Sequence, residues 1–201
     1  LQAVVKGGYD YLNDVELYGR DFYVSGDVMS DNAFSNGNSG RFVVQDQMIF
    51  SVNSGYAAGV WEVFYEAIAN ANLALGADLE GDGVAQIKGE AYALRAFSHM
   101  NILLAFGQQY VSGGDASDGV PYVTTYADSD QFAPSRDAIA DVWANIKSDL
   151  NTAAQQLDPG SFNSTTLNYW AVRALQTRFY LYTGQYDQVL TLSSSLLPPS
   201  S

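Results

Sequence analysis

The chain has 201 residues, 47% hydrophobic and 15% charged, which supplies apolar material for a sizeable core and excludes a disordered tail. Its 22 acidic and 9 basic side chains leave a formal net charge of −13, the wrong sign for a nucleic-acid binder, and no Lys/Arg cluster offsets it. There is no cysteine, which excludes disulfides and thiolate metal sites, and no apolar run is long enough to span a membrane.

Residues 1–19 predict an amphipathic helix, with Val4, Val5, Tyr11, Leu12, Val15 and Tyr18 on the buried face. Gly7-Gly8 interrupts it. Each glycine costs about 1 kcal/mol against alanine in a helix, so a kink or a close approach is expected there. Between residues 20 and 56 the helical periodicity disappears. The piece VSGDVMSDNAFSNGNSG is rich in turn-forming Gly, Ser, Asn and Asp, and RFVVQDQMIFSV reads as a short extended piece or a packed loop. A loop of this length inside a compact domain usually has a function.

Residues 59–110 form the centre of the chain. Trp61, Phe64, Tyr65, Ile68 and Leu75 fall on one helical stripe, and Gly76 follows the last of them. After the break, with Asp82 as candidate N-cap, apolar residues from Ala91 to Phe106 occupy almost every face, so this second helix is expected to be buried all round. The two make an antiparallel hairpin roughly 30 Å long. A second long loop, residues 108–133, carries Gly113-Gly114, Asp118-Gly119 and Pro121. Ser135 is the expected N-cap of the next helix, whose stripe Ile139, Val142, Trp143, Ile146, Leu150, Ala153 and Leu157 is unbroken until Asp158-Pro159-Gly160. A last helical pair is expected from about Thr165, with Gly184 between its members. Tyr180, Gly184 and Tyr186 resemble the turn of a tetratricopeptide (TPR) repeat. The expected fold is all-α, a TPR-like array of antiparallel helical hairpins with two long loops.

Trp61 with Phe64-Tyr65, Asn70-Ala-Asn72, Gly89-Glu90-Ala91, Leu94-Arg95-Ala96-Phe97, Phe106-Gly107 and the later DGVPYVTTY together resemble the N-terminal half of SusD/RagB-type proteins. So does Gly26-Asp27 followed by Asp31-Asn32. These are outer-membrane nutrient-binding lipoproteins that partner a TonB-dependent, SusC-like transporter. The resemblance implies a single N-terminal domain over residues 1–201 of a longer, lipid-anchored parent, with this stretch soluble by itself. It implies surface capture of a glycan or oligosaccharide for uptake, without catalysis. Peptide capture, as in RagB-like members, and a helical-repeat scaffold for a protein partner are the alternatives.

The residues themselves carry little reactive chemistry. His99 is the only histidine, and no nucleophile motif accompanies it, so it reads as a packed side chain. Arg95 is expected to bond a buried carboxylate or a backbone carbonyl. The Asp-rich turns at 76–83 and 114–119 lack the alternating ligands of an EF-hand, and neither a metal nor a cofactor is expected. What remains is a polyhydroxyl-binding kit in the first loop: Asp31, Asn32, Asn36, Arg41, Asn53 and Tyr56. Amides, a carboxylate and a guanidinium can hydrogen-bond hydroxyls there, while an aromatic face stacks on sugar C–H groups. Phe34, Phe42, Tyr122, Tyr126 and Phe132 are further loop aromatics singled out with Tyr56.

Overall fold

A computed structural model describes residues 1–51, 53–81, 83–108, 115–126, 133–161 and 163–196. Among these residues the chain forms eight helices and no strand: α1 (Gln2–Leu12), α2 (Asp21–Met29), α3 (Val43–Asp46), α4 (Gly55–Leu75), α5 (Val84–Phe106), α6 (Ile139–Gln156), α7 (Tyr169–Tyr182) and α8 (Tyr186–Leu196). The core helix is α5. It packs chiefly on α6 and α4, while α1 lies across α4, and α7 links α6 to α8. The expected burial on all sides holds, with Ala91, Ala93, Leu94, Ala96, Met100 and Ile102 fully enclosed. Alanines on α5 let its neighbours approach, and at Gly89 a Cβ would lie 3.0 Å from Leu157 Cγ at the end of α6.

The glycine pair in α1 marks close packing. A Cβ on Gly8 would run into the Leu94 side chain and come within 3.6 Å of the Ala67 carbonyl oxygen. Leu94 is fully buried and has little room to retreat. Gly8→Val is therefore expected to destabilise the fold by about 1–3 kcal/mol through overpacking, measured by urea unfolding. An unchanged midpoint would show that α1 can lift off α4 and α5 at no cost.

Three expected boundaries move. α1 stops at Leu12, because Asn13 and Asp14 bond the local backbone (Asn13 Nδ2 to Tyr9 O, Glu16 N–H to Asp14 Oδ1) and turn the chain. Leu17 and Tyr18 still reach the core, from that turn. α2 and α3 interrupt the expected irregular stretch, which persists between and after them. The α2 segment has a weak helical signature, since Ser25, Gly26 and Asp27 interrupt it, yet Phe22 packs edge-on against Phe64 at 5.3 Å and Val28 is buried. Tertiary contact overrides propensity there. α6 starts at Ile139, four residues after Ser135, because residues 136–138 stay extended beside 117–119. The Gly119 N–H donates to Asp137 O, and the Ile139 N–H to Ser117 O. Asp137 is used on the loop, where its carboxylate accepts from the Tyr122 N–H at 2.7 Å.

The last pair follows the expected pattern more closely. Asn168 caps α7 by accepting from the Ala171 N–H at 2.9 Å. Gly184, at φ +72°, lets the Gln185 N–H reach back to Tyr180 O before α8 opens at Tyr186. This is the TPR-like turn anticipated from Tyr180, Gly184 and Tyr186. Asp82, the candidate N-cap before α5, lies outside the described residues, as do Gly113-Gly114 and Phe132.

Candidate functional site

The first loop and the turn after α1 enclose a cavity of about 600 Å³. Three of the six expected site residues line it: Arg41, Asn53 and Tyr56. Opposite them stand Glu16, Arg20 and Asp21, whose participation nothing in their local sequence signals. Gln45, Ser51 and Ser54 add further polar groups. Each side chain has a local reason for its position. Glu16 lies against α4 at Gly59, where a Cβ would approach its Cγ to 2.6 Å. Arg20 is held by its neighbour, with Nε 2.6 Å from Asp21 Oδ1. Arg41 makes no ion pair among the described residues and is exposed, so its guanidinium is available to a ligand.

Asp31, Asn32 and Asn36 do not line this cavity. All three are exposed and serve the turns around them: the Asn32 N–H donates to Asp27 O, and Asn36 Oδ1 accepts from the Asn38 N–H at 3.0 Å. Asp31, Phe42 and Met48 adopt left-handed backbone, at φ 61°, 59° and 53°. No other non-glycine residue described does so, and all three fall in this one loop. Strain of this kind costs about 1–3 kcal/mol per residue and tends to collect at ligand sites. Phe42 is itself a cavity wall and opens α3.

Tyr56 is half-buried, and burial raises its phenol above the ordinary value. Ser25 opposes that rise, and its Oγ accepts from Gln45 Nε2 at 3.4 Å. Ser25 and Gln45 are both buried and join α2 to α3, while the Tyr56 ring packs against the hydrophobic core. On the rim, Glu16 shares a hydrogen bond with Asp14 that raises the Glu16 carboxyl and lowers that of Asp14.

A second polar cluster lies in the core. Arg95 reaches Asp149 through two bonds, Nε to Oδ2 at 2.7 Å and Nη2 to Oδ1 at 2.8 Å, and also donates to Asn72 Oδ1 and Thr124 O. The carboxylate and carbonyl partners expected for Arg95 are both present. The Tyr122 hydroxyl donates to Asp149, and Asn72 Nδ2 donates to Val123 O. His99 stacks on Tyr122 at 3.9 Å, accepts from the Val123 N–H through Nε2 and contacts Arg95 O through Nδ1. Those partners make it the neutral Nδ1–H tautomer. Burial, with the Arg95 charge adding to it, pushes its pKa down to about 3. With both ring nitrogens engaged and no exposed surface, the imidazole is a strut for the second loop and is not presented to any ligand. No group of three or more His, Asp or Glu side chains among the described residues is arranged around a metal site.

The fold agrees with what comparison with known proteins finds. A family model, SusD-like and described as "Starch-binding associating with outer membrane", matches residues 4–181. The chain belongs to that SusD-like family. A Bacteroides vulgatus ATCC 8482 protein described as a candidate sugar binder shares 26% identity at a TM-score of 0.81, over 96% of this chain and 44% of its own. A SusD superfamily protein of Bacteroides thetaiotaomicron VPI-5482 shares 24% identity at a TM-score of 0.85, over 98% of this chain and 45% of its own. A laminarin-binding SusD-like protein shares 19% identity at a TM-score of 0.75, over 96% of this chain and 42% of its own. The chain thus spans under half the length of these relatives. No curated protein matches it.

Proposed function

We propose that this chain captures glycan at the cell surface without catalysis, as one wall of a binding protein that delivers oligosaccharide to a TonB-dependent, SusC-like transporter in the outer membrane. Membership of a family described as starch-binding and outer-membrane-associated supports this reading. The observation that carries it is the polar cavity, where an unpaired guanidinium, an amide and a half-buried aromatic ring converge on one space. Its volume suits a few sugar units, and its mixed carboxylates and guanidinia suit neutral hydroxyls. No described helix is long and apolar enough to cross a membrane, and surface attachment is assigned to a lipid anchor on the parent protein. Asp31, Asn32 and Asn36, on exposed turns of the same loop, are proposed to extend the contact to longer chains.

Affinity electrophoresis and calorimetry against a panel of soluble polysaccharides and peptides test this reading. The expected result is retention by at least one glycan, weakened about tenfold or more by Arg41→Ala and by Tyr56→Ala, with folding unchanged by circular dichroism. Binding to peptides alone would move the chain to RagB-like nutrient capture. Glycan binding indifferent to both substitutions would remove the site from the first loop.

A further inference from the structure

The polar cavity shares a wall with a second cavity of about 630 Å³. The chain divides nearby residues between them at three places. Asp21 lines the polar cavity and Phe22 the second; Ile49 lines the polar cavity and Phe50 the second; Gly55 lines the polar cavity and Ala57 the second. Tyr56 lines both. Tyr56 packs, half-buried, against the hydrophobic core, and its ring stands as a sill between the two spaces.

The second cavity is aromatic. Phe22, Phe50, Tyr56, Phe106 and Tyr182 face it, with Met29 and Leu104 beside them. Phe50 and Leu104 are 43% and 40% exposed, so its mouth leaves apolar surface uncovered. Among the described residues no carboxylate lines it, in a chain with 22 acidic side chains. The charged residue that does line it, Arg178, sits 6.0 Å from the Tyr182 ring centroid and makes no ion pair among the described residues. Rings prefer edge-on or offset contact with other rings, and a guanidinium stacks on a ring face. Such a lining recognises a planar aromatic group.

We propose that the two cavities form one bipartite site: the polar cavity holds the hydroxyls of a glycan, and the aromatic cavity takes an aryl group carried on that glycan as an ester or aglycone. This rests on the glycan reading of the polar cavity and names its ligand class as an aryl-substituted saccharide. Arg178 stacks on the aryl ring or donates to its phenol or ester oxygen.

Methyl ferulate probes the aromatic cavity by itself, read by NMR of methyl-labelled Met29, Val60 and Leu104, all of which line it. Saturable shifts at these methyls are expected in the unsubstituted protein, with affinity lowered about tenfold in Leu104→Lys and unchanged in Arg41→Ala. Leu104 is partly exposed, so a lysine there does not bury a charge in the core. A polysaccharide retained in the panel above, lightly esterified with ferulate, should bind at least tenfold more tightly than its unesterified parent, and Leu104→Lys should abolish only that gain. Unmoved methyls, or equal affinity for ester and parent, would overturn the bipartite site while Arg41-dependent glycan binding still stood. Methyl ferulate binding without retention of any glycan would sink the glycan reading, glycan retention indifferent to Arg41→Ala and Tyr56→Ala would take the site out of the first loop, and either result would overturn the bipartite site. Tighter binding of N-acetylphenylalaninamide than of methyl ferulate would assign the cavity to peptide side chains and overturn the proposal.

Discussion

Asp149→Ala is expected to destabilise the fold by about 3–5 kcal/mol and to lower the melting temperature by about 10 °C or more. Asp149 is 5% exposed and Arg95 7%, so removing the carboxylate strands a guanidinium in the core. The Tyr122 hydroxyl loses its acceptor in the same step, and the second loop loses one of its ties to α6. Removing both charges together should cost less than removing one, because an apolar pair leaves no unpaired ion. Arg95→Met with Asp149→Leu should therefore be more stable than either single variant in a urea double-mutant cycle. Additive losses would mean that water reaches the pair and screens it.

The second large effect concerns pH. The His99 pKa falls from 6.5 to about 3 on folding, because burial disfavours the imidazolium and the Arg95 charge opposes it further. Between those values the unfolded chain binds the extra proton and the folded chain does not, so stability is complete above about pH 6.5 and is lost as pH falls. At about 1.4 kcal/mol per pH unit, moving from pH 6.5 to 4.5 removes roughly 2–3 kcal/mol. His99→Gln keeps an acceptor for the Val123 N–H and has nothing to titrate, so its stability profile should be flatter over this range. Parallel profiles for the two proteins would mean that His99 can be protonated in the folded state.

The sequence reveals elements whose stripe is long and uninterrupted. The run from Ile139 to Leu157 on α6 and the all-round apolar face of α5 were readable because burial alone decides them. α2 was not, since its helix depends on Phe22 meeting Phe64 from a distant element. The start of α6 was misplaced for a similar reason, as a backbone pairing with residues 117–119 competes with winding at Ser135. Arg95 stood out in the sequence, but its partner Asp149 lies 54 residues on, and nothing local pairs them.

The cavity divides the same way. Arg41, Asn53 and Tyr56 were visible as a cluster within one loop, and the fold does bring them to one space. Asp31, Asn32 and Asn36 were equally visible by composition, but their polar groups form turns, a use that composition cannot separate from ligand binding. Glu16, Arg20 and Asp21 reach the cavity only because α1 ends early and the chain turns back past Gly59.

The most direct test of the proposed site is an NMR titration of the labelled protein with an oligosaccharide cut from whichever polysaccharide it retains. The account predicts saturable shifts at the backbone amides of Arg41, Asn53 and Tyr56, and across the cavity at Glu16 and Asp21. Shifts confined to the α7–α8 face, with those five amides unmoved, would contradict it.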